Sequence, residues 1–294
     1  MFDRVLVVDW SANSAPKRGA DSIWIAELHV GDLDRGVHAW NPSTRHAAAE
    51  LLIDRLEAVP RSRTLIGVDF SIGFPAGFAA ALGLVGVPWS STWSRLVEWI
   101  DDDGRNRNNR FAVAADLNAC ISGSAAPFWG CPPSASAPTL TSTKPVEDES
   151  LPEWRVTEEA LRAAGHRPFS SWQLFGAGSV GGQALLGIPV LERLRRSRPA
   201  VEVWPLTTGL GKVELEPGGV LIAEVWPSMY HVPDVGEGPK DRRQVAAVAD
   251  ALVAAIGAGE LGAWFSPSCP PHRRRDVVEE EGWVLGAGIG SGRR

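Results

Sequence analysis

Val5-Leu-Val-Val-Asp9-Trp-Ser-Ala12 is an apolar, mostly β-branched run that ends on a carboxylate and passes into a small-residue turn. Thr64-Leu-Ile-Gly-Val-Asp69-Phe-Ser-Ile-Gly73 repeats the pattern. Continuous apolar runs of this length, bounded by turn residues, read as strands buried on both faces. In α/β proteins the carboxyl edge of such strands is where ligands and catalytic groups sit, so the two acids are expected to share one crevice. Each also has a plain structural use, since Asp readily caps the next turn or helix through backbone amides.

Outward from Asp9, Ser22 to Val30 reads as a second strand and Val37 to Trp40 as a short third. The Gly31 to Gly36 link between them, with two aspartates, reads as a hairpin connection that makes the early strands antiparallel. Asn41-Pro-Ser-Thr44 supplies a helix start, and Ala47 to Leu56 has helical apolar spacing. Further on, helices are expected from Glu153 to Ala164 and Gly181 to Arg196, then strands at Ala200 to Trp204 and Gly219 to Trp226. Pro239 opens a helix to Ile256, with apolar positions at Val245, Val248, Ala249, Leu252, Val253 and Ile256, and Gly257 just beyond its end.

The texture changes between Gly73 and Leu151, with short helical patterns at Phe78 to Leu82, Ser91 to Ile100 and Arg110 to Cys120. Ser122 to Glu149 then has no sustained period and is rich in Ser, Pro, Ala and Thr. We read residues 76–151 as a helical and loop insertion that caps the site within one α/β domain spanning 1–294, with 286–294 as a frayed tail.

Two further acids extend the opening pair. Glu224 follows Val-Leu-Ile-Ala at a strand end, where Pro227 stops further pairing. Asp250 interrupts an Ala- and Val-rich helix at the border of its packing face, and it must be neutralised by a cation or turn to solvent. Asp241, in the first turn of the same helix, is the competing helix carboxylate, with stabilisation of the helix dipole as its structural explanation. Carboxylates without accompanying His or Cys ligands form a hard, all-oxygen environment suited to Mg²⁺ or Mn²⁺. Two such ions about 4 Å apart support in-line phosphoryl displacement.

A chain of 294 residues with 44% hydrophobic and 22% charged content has the composition of a water-soluble globular protein. Cys120, Cys131 and Cys269 are odd in number and scattered, which fits a reducing compartment and gives no zinc spacing. Without a basic region followed by an apolar stretch at the N-terminus, and without a membrane-length apolar run, the expectation is a cytoplasmic protein. Net charge −6 argues against a general polyanion-binding field. Arginines nevertheless cluster at Arg61-Ser-Arg63, Arg105-Asn-Arg107-Asn-Asn-Arg110, Arg193-Leu-Arg195-Arg196 and His272-Arg273-Arg274-Arg275. Such clusters can hold phosphates or simply form solvated faces.

The order strand-Asp9, strand-Asp69, strand-Glu224, helix-Asp250 resembles the ribonuclease H-like superfamily. More specifically, Val8-Asp-Trp-Ser-Ala12, Gly67-Val-Asp-Phe-Ser-Ile-Gly-Phe-Pro75, Gln173-Leu-Phe-Gly-Ala-Gly-Ser-Val-Gly-Gly-Gln183 and Ala223-Glu-Val-Trp-Pro-Ser228 resemble the DUF429 family of predicted RNase H-like nucleases. The resemblance spans Val5 to about Ala255. It implies a five-stranded mixed sheet that begins with an antiparallel meander and carries catalytic carboxylates across its centre. It further implies that Asp9, Asp69, Glu224 and Asp250 are both metal ligands and catalytic groups, with nucleic acid as substrate. A non-catalytic binding module on the same fold, for nucleic acid or a small ligand, is the alternative.

Gly176-Ala-Gly178-Ser-Val-Gly181 also matches the dinucleotide fingerprint, with Glu202 near the expected position about 20 residues on. That motif must follow a buried strand, and Ser170 to Phe175 is polar at its start and short. Otherwise the segment is a tight turn into the next helix, beside the carboxylates and able to approach a substrate phosphate. The tryptophans, among them Trp89, Trp93, Trp129, Trp172, Trp204 and Trp226, either pack the core and lid or stack on bases. His231 is the histidine near enough to Glu224 in sequence to move a proton.

Overall fold

The apolar runs at Arg4–Asp9 (β1) and Thr64–Val68 (β4) form the central, parallel pair of a six-stranded mixed sheet in the computed structural model. Residues 2–31, 36–145, 150–176 and 178–289 are described. Trp24–His29 (β2) runs antiparallel to β1, and His38–Trp40 (β3) antiparallel to β2, which is the expected meander. The turn read as its hairpin connection falls largely on 32–35, outside the described residues. Val201–Trp204 (β5) and Val220–Glu224 (β6) complete the order β3-β2-β1-β4-β6-β5. The sheet therefore has six strands, not the five that the family resemblance implies: β6 pairs with β4, and β5 adds an outer parallel strand beside it.

Alternation along the strands divides the interior into two cores. Leu6, Val8, Ile66, Val68, Val220 and Ile222 face one layer of helices. That layer contains Arg45–Ala58 (α1), Phe78–Ala81 (α2), Pro88–Trp99 (α3), Arg110–Ile121 (α4) and the long helix after the Gly-rich turn, Val180–Ser197 (α6). Thr44 starts α1 by accepting a hydrogen bond from the Ala47 amide at 3.1 Å, and Ala48, Leu52 and Leu56 form its buried stripe. The residues read as an inserted cap thus build a core layer: Trp93, Leu96, Val113 and Leu117 are buried, and α3 packs on α6. Residues 146–149 of that segment lie outside the described residues.

On the opposite face, Val5, Val7, Leu65, Leu221 and Ala223 meet Val156–Ala163 (α5), Lys240–Gly257 (α7) and Leu261–Trp264 (α8). Helix α7 lies across β1 and β2 and buries the apolar positions expected of it. Each of its buried Val, Leu and Ile side chains contributes about 1.5–3 kcal/mol relative to exposure. The tail expectation needs correction at Gly286 to Ile289. Ala287 is buried, its carbonyl accepts from Trp283 Nε1 at 3.1 Å, and Leu285 N donates to Glu224 O at 2.8 Å, so the chain returns to the sheet beside β6. Residues 290–294 are outside the described ones. Among the described residues no helix is long and apolar enough to cross a membrane.

Candidate functional site

The carboxyl edges of β1 and β4 open into a polar cleft of about 570 Å³ that contains Asp9, Asp69 and Asp241. Register explains which acids meet there. Val8 is level with Val68, so Asp9 and Asp69 are level with each other and share the face parity of Val7 and Gly67. That is the face covered by α7, whose first turn carries Asp241. Asp241 Oδ2 also accepts the Asp21 amide at 2.6 Å, tying the loop after β1 to the helix start.

Neither the Asp9 nor the Asp69 carboxylate receives a hydrogen bond or an ion pair from any described residue. Burial, followed by the charges of Asp69, Asp241 and Asp21, pushes the Asp9 carboxyl well above the ordinary carboxylate range. Burial and the Glu224 charge push Asp69 up to about 8. Burial also raises Asp241, against the opposing hydrogen bond from Asp21. The site is short of positive charge in the way that a bound cation corrects.

Glu224 stands apart from this pair. It is level with Val68, one residue short of Asp69, and that single step gives it the opposite face parity, shared with Val220 and Ile222. Its buried carboxylate is held by Arg155 and by the Ile72 amide at 3.2 Å. Asp250 is not in the cleft either. It is exposed on α7, nine residues beyond Asp241, a distance of roughly 13 Å along the axis. Of the two helix acids, Asp241 is therefore the one beside Asp9. A helix that follows a parallel strand begins near the carboxyl edge of the sheet, and this signal in the sequence singles out a first-turn acid. His231 is exposed and outside the cleft.

Among the described residues no three acidic, histidine or cysteine side chains converge as a ready-made cage for one ion. Mg²⁺ does not require such a cage, because it commonly keeps several waters and takes one or two carboxylates, with substrate phosphates completing its shell. Two unpartnered hard oxygen donors fit that demand. A second hollow, of about 300 Å³ between α1 and α6, contains none of these acids.

The Gly-rich turn and the start of α6 line the same cleft. Residues 170–175 form no strand, only an isolated bridge between Gln173 and Trp129, so the dinucleotide fingerprint lacks the strand it requires. Ala177 within it is outside the described residues. Gly181 serves close packing: a β-carbon there would sit 2.2 Å from the Ser171 carbonyl oxygen. Gln183 Nε2 donates to the Trp10 carbonyl at 2.5 Å, fastening α6 to the strand end that carries Asp9. Trp89, Trp93, Trp172 and Trp204 are buried, in the packing role, whereas Phe175 is 49% exposed at the cleft. Compared with family models, curated proteins and solved structures, the chain matches none.

Proposed function

We propose that the chain is a metal-dependent phosphodiester hydrolase of RNase H-like fold, acting on nucleic acid, with Asp9 and Asp69 holding Mg²⁺ or Mn²⁺ and Asp241 beside them. One observation carries this reading: two level carboxylates at the edges of adjacent central strands, without a donor or a cation among the described residues. The meander followed by parallel strands supports the fold assignment, and the Gly-rich turn across the cleft fits the DUF429 resemblance.

When bound, the ion supplies Lewis-acid polarisation of a phosphoryl oxygen and a more acidic water. The protein's own residues position the reactants. Asp9 and Asp69 are held by the β1–β4 ladder, which continues through Asp69 N to Val8 O at 2.9 Å. Asp241 fixes the loop at Asp21. The exposed ring of Phe175 offers a face on which a base can stack. Asp69 retains a proton to about pH 8 in the metal-free cleft, so metal binding releases it.

The test is Mn²⁺ binding by calorimetry, with cleavage of single-stranded, duplex and hybrid substrates by wild type, Asp9→Asn and Asp69→Asn. Both variants are expected to lose metal affinity and turnover; binding and cleavage unchanged in both would overturn the assignment. The exposed rings of Phe169 and Phe175 favour one second reading, a non-catalytic module. It expects oligonucleotide binding that survives chelation, with no turnover in any metal.

A further inference from the structure

Among the described residues four arginines are buried: Arg4, Arg45, Arg110 and Arg155. Arg4 is paired with Glu27, Arg45 with Asp102, and Arg155 with Glu158 and Glu224. Arg110 is only 5% exposed, yet among the described residues it has no carboxylate partner. Burying a guanidinium without a counter-charge is costly, and proteins ordinarily avoid it.

The contacts of Arg110 account for only part of the side chain. Nη1 donates to Ser14 Oγ at 3.1 Å and to Asn108 Oδ1 at 2.8 Å, and the Phe111 ring lies 4.2 Å from the guanidinium carbon. Nε is buried without a partner, and Nη2 donates to no described residue. The guanidinium lies against the first turn of α6, where a β-carbon on Gly182 would sit 3.5 Å from Nε. Ser179, immediately before α6, gives that 18-residue helix no side-chain cap; Val180 N donates to Gly178 O and Gly181 N to Gln173 O, so the helix contributes the field of its dipole rather than those two amides. Arg110 and Ser179 line the same cleft as Asp9 and Asp69.

A planar cation with spare donors, set beside the positive end of a long helix, is matched to a tetrahedral oxyanion. We propose that Arg110 and the N-terminus of α6 form a phosphoryl-binding subsite, which presents one face of a substrate phosphate to the aspartates opposite. The proposal deepens the phosphodiesterase reading and rests on it for the substrate class, but the subsite binds phosphate without any metal.

Inorganic phosphate titrated into the protein in EDTA, at constant ionic strength and followed by NMR, tests it directly. Wild type is expected to bind. Arg110→Gln and Ser179→Asp should each weaken binding by about 10- to 100-fold, with Arg110→Lys between wild type and Arg110→Gln. Asp is a preferred N-cap residue, so Ser179→Asp keeps the helix intact while repelling the anion, and it decides the matter if Arg110→Gln fails to fold. Wild-type affinity in both Ser179→Asp and folded Arg110→Gln, or no phosphate binding by wild type, overturns the subsite. Asp69→Asn should bind phosphate at least as well as wild type. If that variant and Asp9→Asn both keep their Mn²⁺ affinity, the metal assignment falls and the subsite stands. Competition by a mononucleotide or by a 5′-hydroxyl oligothymidylate identifies a monoester or a diester as the occupant.

Discussion

Arg155 grips Glu224 at both oxygens, with Nη2 to Oε1 at 2.6 Å and Nη1 to Oε2 at 2.8 Å, and both side chains are buried. The same guanidinium holds Glu158 and donates to the Glu281 carbonyl at 2.8 Å. Glu224 is thus the post that ties β6 to the start of α5 and to the returning C-terminal segment. Removing the Glu224 charge leaves Arg155 neutralised by Glu158 but takes away two charge-assisted hydrogen bonds that join the elements. Glu224→Gln is expected to cost roughly 1.5–3 kcal/mol in urea unfolding. Because the Glu224 charge also raises Asp69, its removal eases the Asp69 proton off while taking one negative charge from the neighbourhood, opposing effects that should leave the Mn²⁺ affinity of the folded fraction close to wild type. Loss of metal binding without loss of stability would instead place Glu224 among the ligands.

Asp69 makes the contrasting case. Its carboxyl is held up to about 8 in the folded chain, against an ordinary aspartate value of 3.8 when unfolded. Between those values the folded state keeps a proton that the unfolded state has released, so metal-free stability falls as pH rises from about 4 to 8. Asp69→Asn removes its own share of that slope, Asp9 keeping one of the same sign, and should stabilise the metal-free protein at pH 8 by roughly 1–3 kcal/mol. Saturating Mg²⁺ reverses the order, because at about 100 times the Kd it adds ~2.7 kcal/mol to wild type alone. Thermal unfolding at pH 5 and pH 8, with and without Mg²⁺, gives all four values; a variant less stable than wild type in metal-free buffer at pH 8 contradicts the account.

Much of this was legible in the chain itself, for a physical reason in each case. Apolar runs closed by turn residues located all six strands, and the 3.6-residue period located α1, α6 and α7 to within a few residues. Asp9 and Asp69 were legible because an acid ending a fully buried strand has nowhere to go but the sheet edge. Glu224 looked the same in sequence, but the face an acid takes depends on register, and the one-residue offset from Asp69 exists only in the paired β4–β6 ladder. Its partner lies 69 residues away, where no local pattern could announce it. The C-terminal return was hidden differently: the turns between Pro271 and Glu281 are too short to show a period, and Gly286 reads as a terminus.

The two helix acids separate cleanly by experiment. Asp241 is beside Asp9 and holds the Asp21 amide, whereas Asp250 is exposed and faces no other acid among the described residues. Asp241→Ala loses a hydrogen bond and a first-turn charge, about 1 kcal/mol of stability, and should weaken Mn²⁺ binding about tenfold. Asp250→Ala should change stability by less than about 0.5 kcal/mol and leave the metal isotherm untouched. Calorimetry on the two variants side by side checks the pair; equal losses of affinity would return Asp250 to the site.

Packing behind the cleft sets the position of Asp69 from the other direction. Gly187, in the middle of α6, lies against Phe70, and a β-carbon there would be 2.4 Å from the ring's Cζ. Phe70 is 3% exposed and cannot swing out to make room. Gly187→Ala must therefore push α6 and the strand end apart, an overpacking cost of about 1–3 kcal/mol despite the better helix propensity of alanine. Because Phe70 is covalently next to Asp69, the same displacement should weaken Mn²⁺ binding without touching a ligand. Phe70→Leu in the Gly187→Ala background opens space at the clash and should recover part of both losses. A double-mutant cycle in unfolding free energy and in Mn²⁺ affinity measures that coupling; strictly additive effects would show that the helix and the strand end do not press on one another.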